Sequence, residues 1–338
     1  MAPAHVAVEA SGAVASTLSR GTGTDRAPAG SPRRDGRRAR GRSVVVLAAV
    51  SVVLAYALVV LGSTVRVTES GMGCPSWPLC YGHLGLVGNI HAWLEEFHRY
   101  LASLVTVAVL ATTWVARRTP TRRAAYVPAL ITLGLVLFQA GLGALTVFAK
   151  NAPWTVAVHL VTGLVFLGAT VVTLIAAAIG GERFSVSAAR AGRWAWVALG
   201  ATLLILVSGS VVVDGGAAKV CPSWPLCTHP GPMHLVILQL AHRTMVGLAS
   251  AAMVVFVVTS WHRTAGRTWW RRGAVTLLVL LGVVASVGAG SALTRAQTAW
   301  QDLHLAFASL LWALLVTLVF ALAASRLARP APDTEPAG

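Results

Sequence analysis

Four of the ten histidines lie inside long apolar segments, near the same end of each segment. They are His98, His159, His242 and His304, each one to two helical turns past the start of its segment. At about 1.5 Å per residue, the imidazoles should lie roughly 7–12 Å into their helices. Polar groups at membrane depth indicate function by default, and paired imidazoles on facing helices suit axial ligation of heme iron.

Two alternatives explain these histidines less well. A zinc ion would usually need a third and a fourth ligand close by, often carboxylates, and the residue one turn before His242 is an amide, Gln239. A hydrogen bond to a neighbouring helix would account for any single histidine, but not for four at similar depths. The other histidines fall in predicted loops, helix edges or tails and are expected to be solvated: His5, His83, His91, His229, His234 and His262.

One carboxylate distinguishes the two pairs. Glu95 stands three residues before His98, so both side chains share one helix face, whereas the residue three before His242 is Gln239. In a chain with only 11 acidic residues, Glu95 is a candidate for proton handling. We therefore predict a reactive first site with Glu95 as its catalytic residue, and a second site that transfers electrons. Glu96, about 100° further around the helix, is expected at the membrane interface.

An arginine directly follows the first histidine of each pair. Arg99 comes after His98, and Arg243 comes after His242. Either guanidinium could pair with heme propionates near the outer membrane surface. Both arginines would also be explained equally well if their side chains simply extend to the polar interface of the membrane.

Eight apolar stretches could position these side chains in a bilayer, since each has about 20 residues or more. They lie at roughly 44–63, 93–116, 124–148, 154–179, 194–213, 234–260, 273–293 and 299–325. The chain is 56% hydrophobic and 11% charged, less than half the usual charge of a soluble domain. This composition excludes a soluble nucleic-acid-binding surface and a wholly disordered chain. It predicts an all-α polytopic membrane protein with eight transmembrane helices.

Basic residues set the predicted orientation. Of the 27 lysines and arginines, 21 fall in the tails and alternate loops on one side, which the positive-inside rule assigns to the cytoplasm. Both termini are therefore expected there, with the other loops extracytoplasmic. Residues 1–43 are predicted to form a disordered Arg-rich tail and 326–338 a second tail. They flank an N-terminal half at 44–180 and a C-terminal half at 194–325.

The two halves are predicted to be tandem repeats. The sequence CPSWPLC occurs at residues 74–80 and again at 221–227. Upstream, Gly62-Ser63 aligns with Gly209-Ser210 at the same offset of 147 residues. Because each half contains four helices, both should have the same orientation, as in parallel repeats. The expected architecture is two tandem four-helix bundles.

All four cysteines lie in the repeated loops, as Cys74, Cys80, Cys221 and Cys227. The predicted extracytoplasmic side is oxidising, so disulfides persist there. We predict one disulfide in each loop, Cys74–Cys80 and Cys221–Cys227. Metal ligation by thiolates is the alternative, although the spacing matches neither the usual zinc pattern nor CxxCH heme attachment.

These motifs together resemble the heme A synthase family. The matching residues run from the first predicted helix to the eighth: Gly62 to Cys80, Glu95 to Arg99, Gln139 to Thr146, His159, Gln239 to Arg243, and His304. The resemblance implies an oxidoreductase of the cell membrane. It would oxidise the C8 methyl of heme O to a formyl group, giving heme A for cytochrome c oxidase.

The resemblance also implies roles for individual residues. His98 and His159 would hold the substrate heme O, and His242 and His304 the cofactor heme b. Glu95 matches a carboxylate important for activity, while Cys74 and Cys80 match a loop disulfide of some members. The implied partners are heme O synthase and cytochrome c oxidase assembly factors, in addition to membrane lipid.

Two other functions fit part of the pattern. A non-catalytic di-heme cytochrome b that relays electrons could use the same histidines, but would have no evident use for a carboxylate at one site. A transporter built from parallel repeats would place broken helices and charges at the bilayer midplane. Here the ionisable groups cluster at one end of the helices.

Overall fold

The computed structural model describes residues 32–85, 88–228 and 231–324, which form an almost entirely helical protein with no strand. Its eight long helices are α1 (Pro32–Val67), α2 (Ile90–Arg118), α3 (Tyr126–Phe148), α4 (Pro153–Ile179), α5 (Arg193–Asp214), α6 (Met233–Trp261), α7 (Thr268–Leu293) and α8 (Thr298–Ala324). Short helical turns at Pro120–Ala125, Ala188–Ala191 and Ala217–Lys219 lie in the connections.

Each of the eight helices is long and apolar enough to cross a membrane, which confirms the predicted fold class. Many large apolar side chains on their outer faces are exposed, among them Leu104, Val107 and Leu248. Such exposure is expected in lipid, where a helix satisfies its own backbone hydrogen bonds and needs no water. The chain is a multi-pass membrane protein.

The first helix is longer than its apolar stretch. α1 begins at Pro32, so residues 32–43 extend this helix, and the prediction of a disordered tail over 1–43 is wrong for them. Proline is favoured at the first position of a helix, and arginine, frequent in this segment, has a high helix propensity. Residues 1–31 and the predicted tail at 326–338 lie outside the described residues.

Consecutive helices pack as antiparallel pairs, α1 with α2, α3 with α4, α5 with α6, and α7 with α8. This arrangement is consistent with two four-helix halves. The halves meet where α8 packs against α1 and α4, and where α4 packs against α5. Trp312 of α8 marks this contact, because its Nε1 donates to the Leu164 carbonyl at 2.7 Å and its indole packs against Gly168.

Polar side chains also join the halves near the helix ends that carry the histidines. The Ser63 hydroxyl of α1 donates to Oδ1 of Asp302 at 2.6 Å. Arg66, one turn further along α1, forms an ion pair with Asp214 at the end of α5, with 2.8 Å between Nη2 and Oδ1. In these two contacts the first half provides the donors and the second half the carboxylates.

Candidate heme-binding site

Each of the four predicted histidines lies against a glycine of the preceding helix. A Cβ atom built on Gly62 would lie 2.9 Å from Cε1 of His98, and one on Gly209 would lie 3.2 Å from Cε1 of His242. The corresponding distances are 3.6 Å from Gly143 to His159 and 2.8 Å from Gly288 to His304. Missing side chains therefore let the imidazoles approach the neighbouring backbone, and three of the four positions have little room for even a methyl group.

The histidines form one pair in each half. His98 and His159 are close enough to interact electrostatically, and so are His242 and His304. Among the described residues, no cluster of three or more His, Cys, Asp or Glu side chains could hold a metal ion. Two imidazoles without a third protein ligand do not suit zinc, but they would suit the iron of a heme. The residues present therefore fit a heme in each half.

The Nδ1 atoms of the histidines have different surroundings. Nδ1 of His242 lies 2.8 Å from the Ser208 hydroxyl. Nδ1 of His159 lies 3.0 Å from the Gln139 amide, which also contacts Thr162 and the Gly163 backbone N–H. Nδ1 of His98 is buried and has no hydrogen-bond partner. Sequence reasoning predicted the four histidines as ligands but none of these surrounding contacts.

Nδ1 of His304 likewise makes no hydrogen bond of normal geometry. Each half therefore contains one imidazole with a polar side-chain neighbour at Nδ1 and one without. In the first half this neighbour is Gln139, which lies at His159. In the second half it is Ser208, which lies at His242.

Glu95 is buried, with 4% of its surface exposed, and joins helix α2 to the first cysteine loop. Its Oε2 accepts from the backbone N–H of Cys74 at 2.9 Å, and its Oε1 accepts from Nη2 of Arg99 at 2.6 Å. Arg99 also donates to the carbonyl oxygens of Ser76 and Pro78, at 2.7 and 3.2 Å. This network fixes the loop above the first pair of histidines.

The second half uses the equivalent residues with the opposite hydrogen-bond polarity. Gln239 is buried like Glu95, but its Nε2 donates to the carbonyl oxygens of Ala217 and Ala218, at 3.0 and 3.3 Å. Arg243 holds its loop as Arg99 does, by donating to the carbonyl oxygens of Pro225 and Cys221, at 2.9 and 3.2 Å. A loop anchor is thus common to both halves, and a carboxylate is specific to the first.

A second carboxylate lies beside Glu95. Glu96 was expected at the membrane interface, but only 3% of its surface is exposed. Its Oε1 accepts from the Tyr100 hydroxyl, and its Oε2 is buried without a hydrogen-bond partner. Tyr100 in turn accepts from the backbone N–H of Gly85 at 2.9 Å. These contacts bury the carboxylate within the protein, and the helical spacing alone gave no indication of them.

Both predicted disulfides are present. The S–S distances are 1.98 Å for Cys74–Cys80 and 2.05 Å for Cys221–Cys227, so thiolate ligation of a metal is not the role of these cysteines. Cys74 and Cys80 are buried against Ala92 of α2. The first disulfide therefore rigidifies the same loop whose backbone N–H is bound by Glu95.

Comparison with known proteins identifies the family of this chain. The family model COX15-CtaA, described as cytochrome oxidase assembly protein, matches residues 45–96 and 86–316. The chain is 33% identical to the heme A synthase of Symbiobacterium thermophilum over 284 residues, which cover 78% of this chain and 90% of the relative. It is 30% identical to the heme A synthase of Bacillus licheniformis over 267 residues, which cover 75% and 87%.

The family match extends from α1 into α8 and includes all four histidines, Glu95 and both cysteine loops. The relatives are aligned over most of their own length, so the similarity is not confined to one half. The chain belongs to the COX15-CtaA family of cytochrome oxidase assembly proteins.

Proposed function

We propose that this chain is a heme A synthase, which oxidises the C8 methyl of heme O to a formyl group and so provides heme A for cytochrome c oxidase. The observation that carries this proposal is that each half brings two imidazoles within electrostatic reach of each other, each against a glycine of the preceding helix. The names of its relatives support the same activity. They give no support to a di-heme cytochrome that only relays electrons.

The two halves have different tasks in this proposal. His98 and His159 bind the substrate heme O, and His242 and His304 bind heme b as a resident cofactor. Heme b supplies one-electron redox chemistry when bound. The glycines beside the four rings support this assignment, because they let each imidazole lie close to the neighbouring helix.

Glu95 is the proposed catalytic residue. Conversion of a methyl to a formyl group removes four electrons and four protons and takes its oxygen from one water, so protons must leave the substrate site. Glu95 is a buried carboxylate one turn from His98, and the second half has an amide in its place. The Cys74 N–H and Arg99 hold this carboxylate in a fixed position.

Arg99 and Arg243 remain candidates for heme propionate contacts. Their Nη atoms already donate to loop carbonyls, and Arg99 also donates to Glu95. A propionate contact would therefore use the Nε–H of Arg99 or replace one of its Nη contacts. Each Nη of Arg243 has a second N–H beyond its loop contact.

The proposed orientation places both termini in the cytoplasm and both cysteine loops outside it. The excess of arginine on the opposite side of the bundle supports this orientation. The bacterial relatives point to a cell membrane. Heme O synthase and the cytochrome c oxidase assembly machinery are the proposed partners, since they supply the substrate and use the product.

The test is expression of Glu95→Ala, His98→Ala and Gln239→Ala in a host that makes heme O but lacks its own heme A synthase. Extracted hemes are then separated by chromatography. We expect no heme A from the first two variants and near wild-type heme A from Gln239→Ala. Wild-type amounts of heme A from both first-half variants would contradict the assignment of the active site.

A further inference from the structure

A serine hydroxyl contacts the Nδ1 atom of His242. Oγ of Ser208 lies 2.8 Å from Nδ1 of His242 and also 3.0 Å from the Ile205 carbonyl oxygen, to which it donates. If Nε2 of His242 binds iron, the imidazole proton lies on Nδ1. The Ser208 hydroxyl can then accept this proton while it donates its own to the Ile205 carbonyl oxygen.

The first half lacks this hydroxyl. Gly62-Ser63 aligns with Gly209-Ser210, so the residue that corresponds to Ser208 is Leu61. His98 lies against Gly62 as His242 lies against Gly209, yet its Nδ1 is buried without a partner. Both imidazoles therefore contact a glycine of the preceding helix. They differ at Nδ1, which has a serine hydroxyl beside it in His242 and no hydrogen-bond partner in His98.

We propose that Ser208 is a positioning residue that holds His242 as a permanent heme ligand, and that Leu61 leaves His98 free to release and rebind its heme. The inference rests on the proposed function, in which heme b is resident while heme O enters and heme A leaves. A fixed tautomer suits a resident cofactor. An imidazole without this restraint suits a site whose occupant must change.

The hydrogen bond has a measurable electronic consequence. An acceptor at Nδ1 makes the imidazole a stronger donor to iron, which stabilises the ferric state and lowers the reduction potential. Loss of such contacts around a metal ligand typically costs 10- to 100-fold in affinity. A serine that only bonds back to its own helix would affect neither quantity.

The experiment uses the purified full-length protein with its heme. Ser208→Ala and Ser208→Thr are compared with the parent chain in a His98→Ala/His159→Ala background, so that only the second site binds heme. Ser208→Ala should raise the midpoint potential by about 59 mV, which is a tenfold change in the ratio of reduced to oxidised heme. It should also speed heme transfer to apomyoglobin by about tenfold. Ser208→Thr should behave as the parent.

A reciprocal variant tests the first half. Leu61→Ser, in a His242→Ala/His304→Ala background, should lower the midpoint potential of heme O in the first site and slow its release. Circular dichroism verifies that each variant retains its helices. A potential and a release rate that are unchanged in Ser208→Ala, with heme still bound, would overturn the inference. Failure of the parent to bind any heme would overturn the proposed function as well.

Discussion

The two cysteine loops have the same sequence, the same disulfide and the same anchoring arginine, yet the residue beneath each loop has the opposite hydrogen-bond polarity. Glu95 accepts from the backbone N–H of Cys74, whereas Gln239 donates to the carbonyl oxygens of Ala217 and Ala218. The comparison indicates that the halves share a common frame and differ in the groups next to the histidines. Each half has two histidines at corresponding sequence positions.

Two further pairs of positions follow this pattern. Glu96 and Tyr100 form a buried hydrogen-bonded pair in the first half, and Leu240 and Thr244 replace them in the second. Leu61 is apolar where the second half has Ser208. The first half therefore has additional acidic groups beside its histidines, and the second half has a hydroxyl at Nδ1 of His242 where Nδ1 of His98 has no partner.

The largest effect is expected when Glu95 is replaced by glutamine, the residue type that the second half has as Gln239. Glu95→Gln should reduce heme A formation by about 10²-fold or more, because an amide cannot accept the protons that a carboxylate accepts. Heme O should still bind to His98 and His159. The measurement is the ratio of heme A to heme O in purified protein. A ratio within twofold of the parent would mean that the carboxylate serves only as a loop anchor.

A somewhat smaller effect is expected at the glycines beside the imidazoles. Gly62→Ala leaves only 2.9 Å between the new methyl and His98, whereas Gly143→Ala leaves an ordinary 3.6 Å contact with His159. Displacement of a packed ring costs about 1–3 kcal/mol, so Gly62→Ala should lower heme O affinity on the order of tenfold. Gly143→Ala is the matched control. Equal heme content in both variants would mean that the glycine contact does not position the ring.

The disulfides should be less critical for activity and unequal in their effects. Removal of either short-loop disulfide by paired Cys→Ser substitution should cost about 2 kcal/mol of stability, read as a lower melting temperature. Only Cys74→Ser/Cys80→Ser should also lower heme A formation, because Cys74 donates to Glu95. Similar losses of activity from Cys221→Ser/Cys227→Ser would show that the loops are functionally equivalent.

The smallest expected effect lies at the interface of the halves. Ser63→Ala removes the donor to Asp302 across the interface and should cost about 1 kcal/mol. The equivalent Ser210 contacts Asp214 within its own helix at 3.1 Å, so Ser210→Ala should change the melting temperature less. Equal changes would indicate that the interface does not depend on this hydrogen bond.

Much of this architecture could be predicted because it depends on local properties of the chain. The apolar length of each helix, the short spacing of Cys74 and Cys80, and the positions of the four histidines are all visible in the sequence. The start of α1 was missed because a charged segment ends the apolar signal without ending the helix. The burial of Glu96 was missed because Gly85 and Tyr100 approach it only in the folded protein.

The contacts of the imidazoles could not be predicted either. Gly62 and His98 lie on different helices, and their contact depends on the distance and rotation of α1 against α2. Helical periodicity defines the faces of one helix but not its register against a neighbour. The same reason applies to Ser208 and His242. The repeat made these positions comparable, but the fold was needed to identify Leu61 and Ser208 as the difference.

Separate quantification of heme O, heme A and heme b in two double variants tests the division between the halves. His98→Ala/His159→Ala should lose heme O and heme A and retain heme b. His242→Ala/His304→Ala should lose heme b and retain heme O. Loss of the same heme species from both variants, or retention of all species in either, would contradict a substrate site in the first half and a cofactor site in the second.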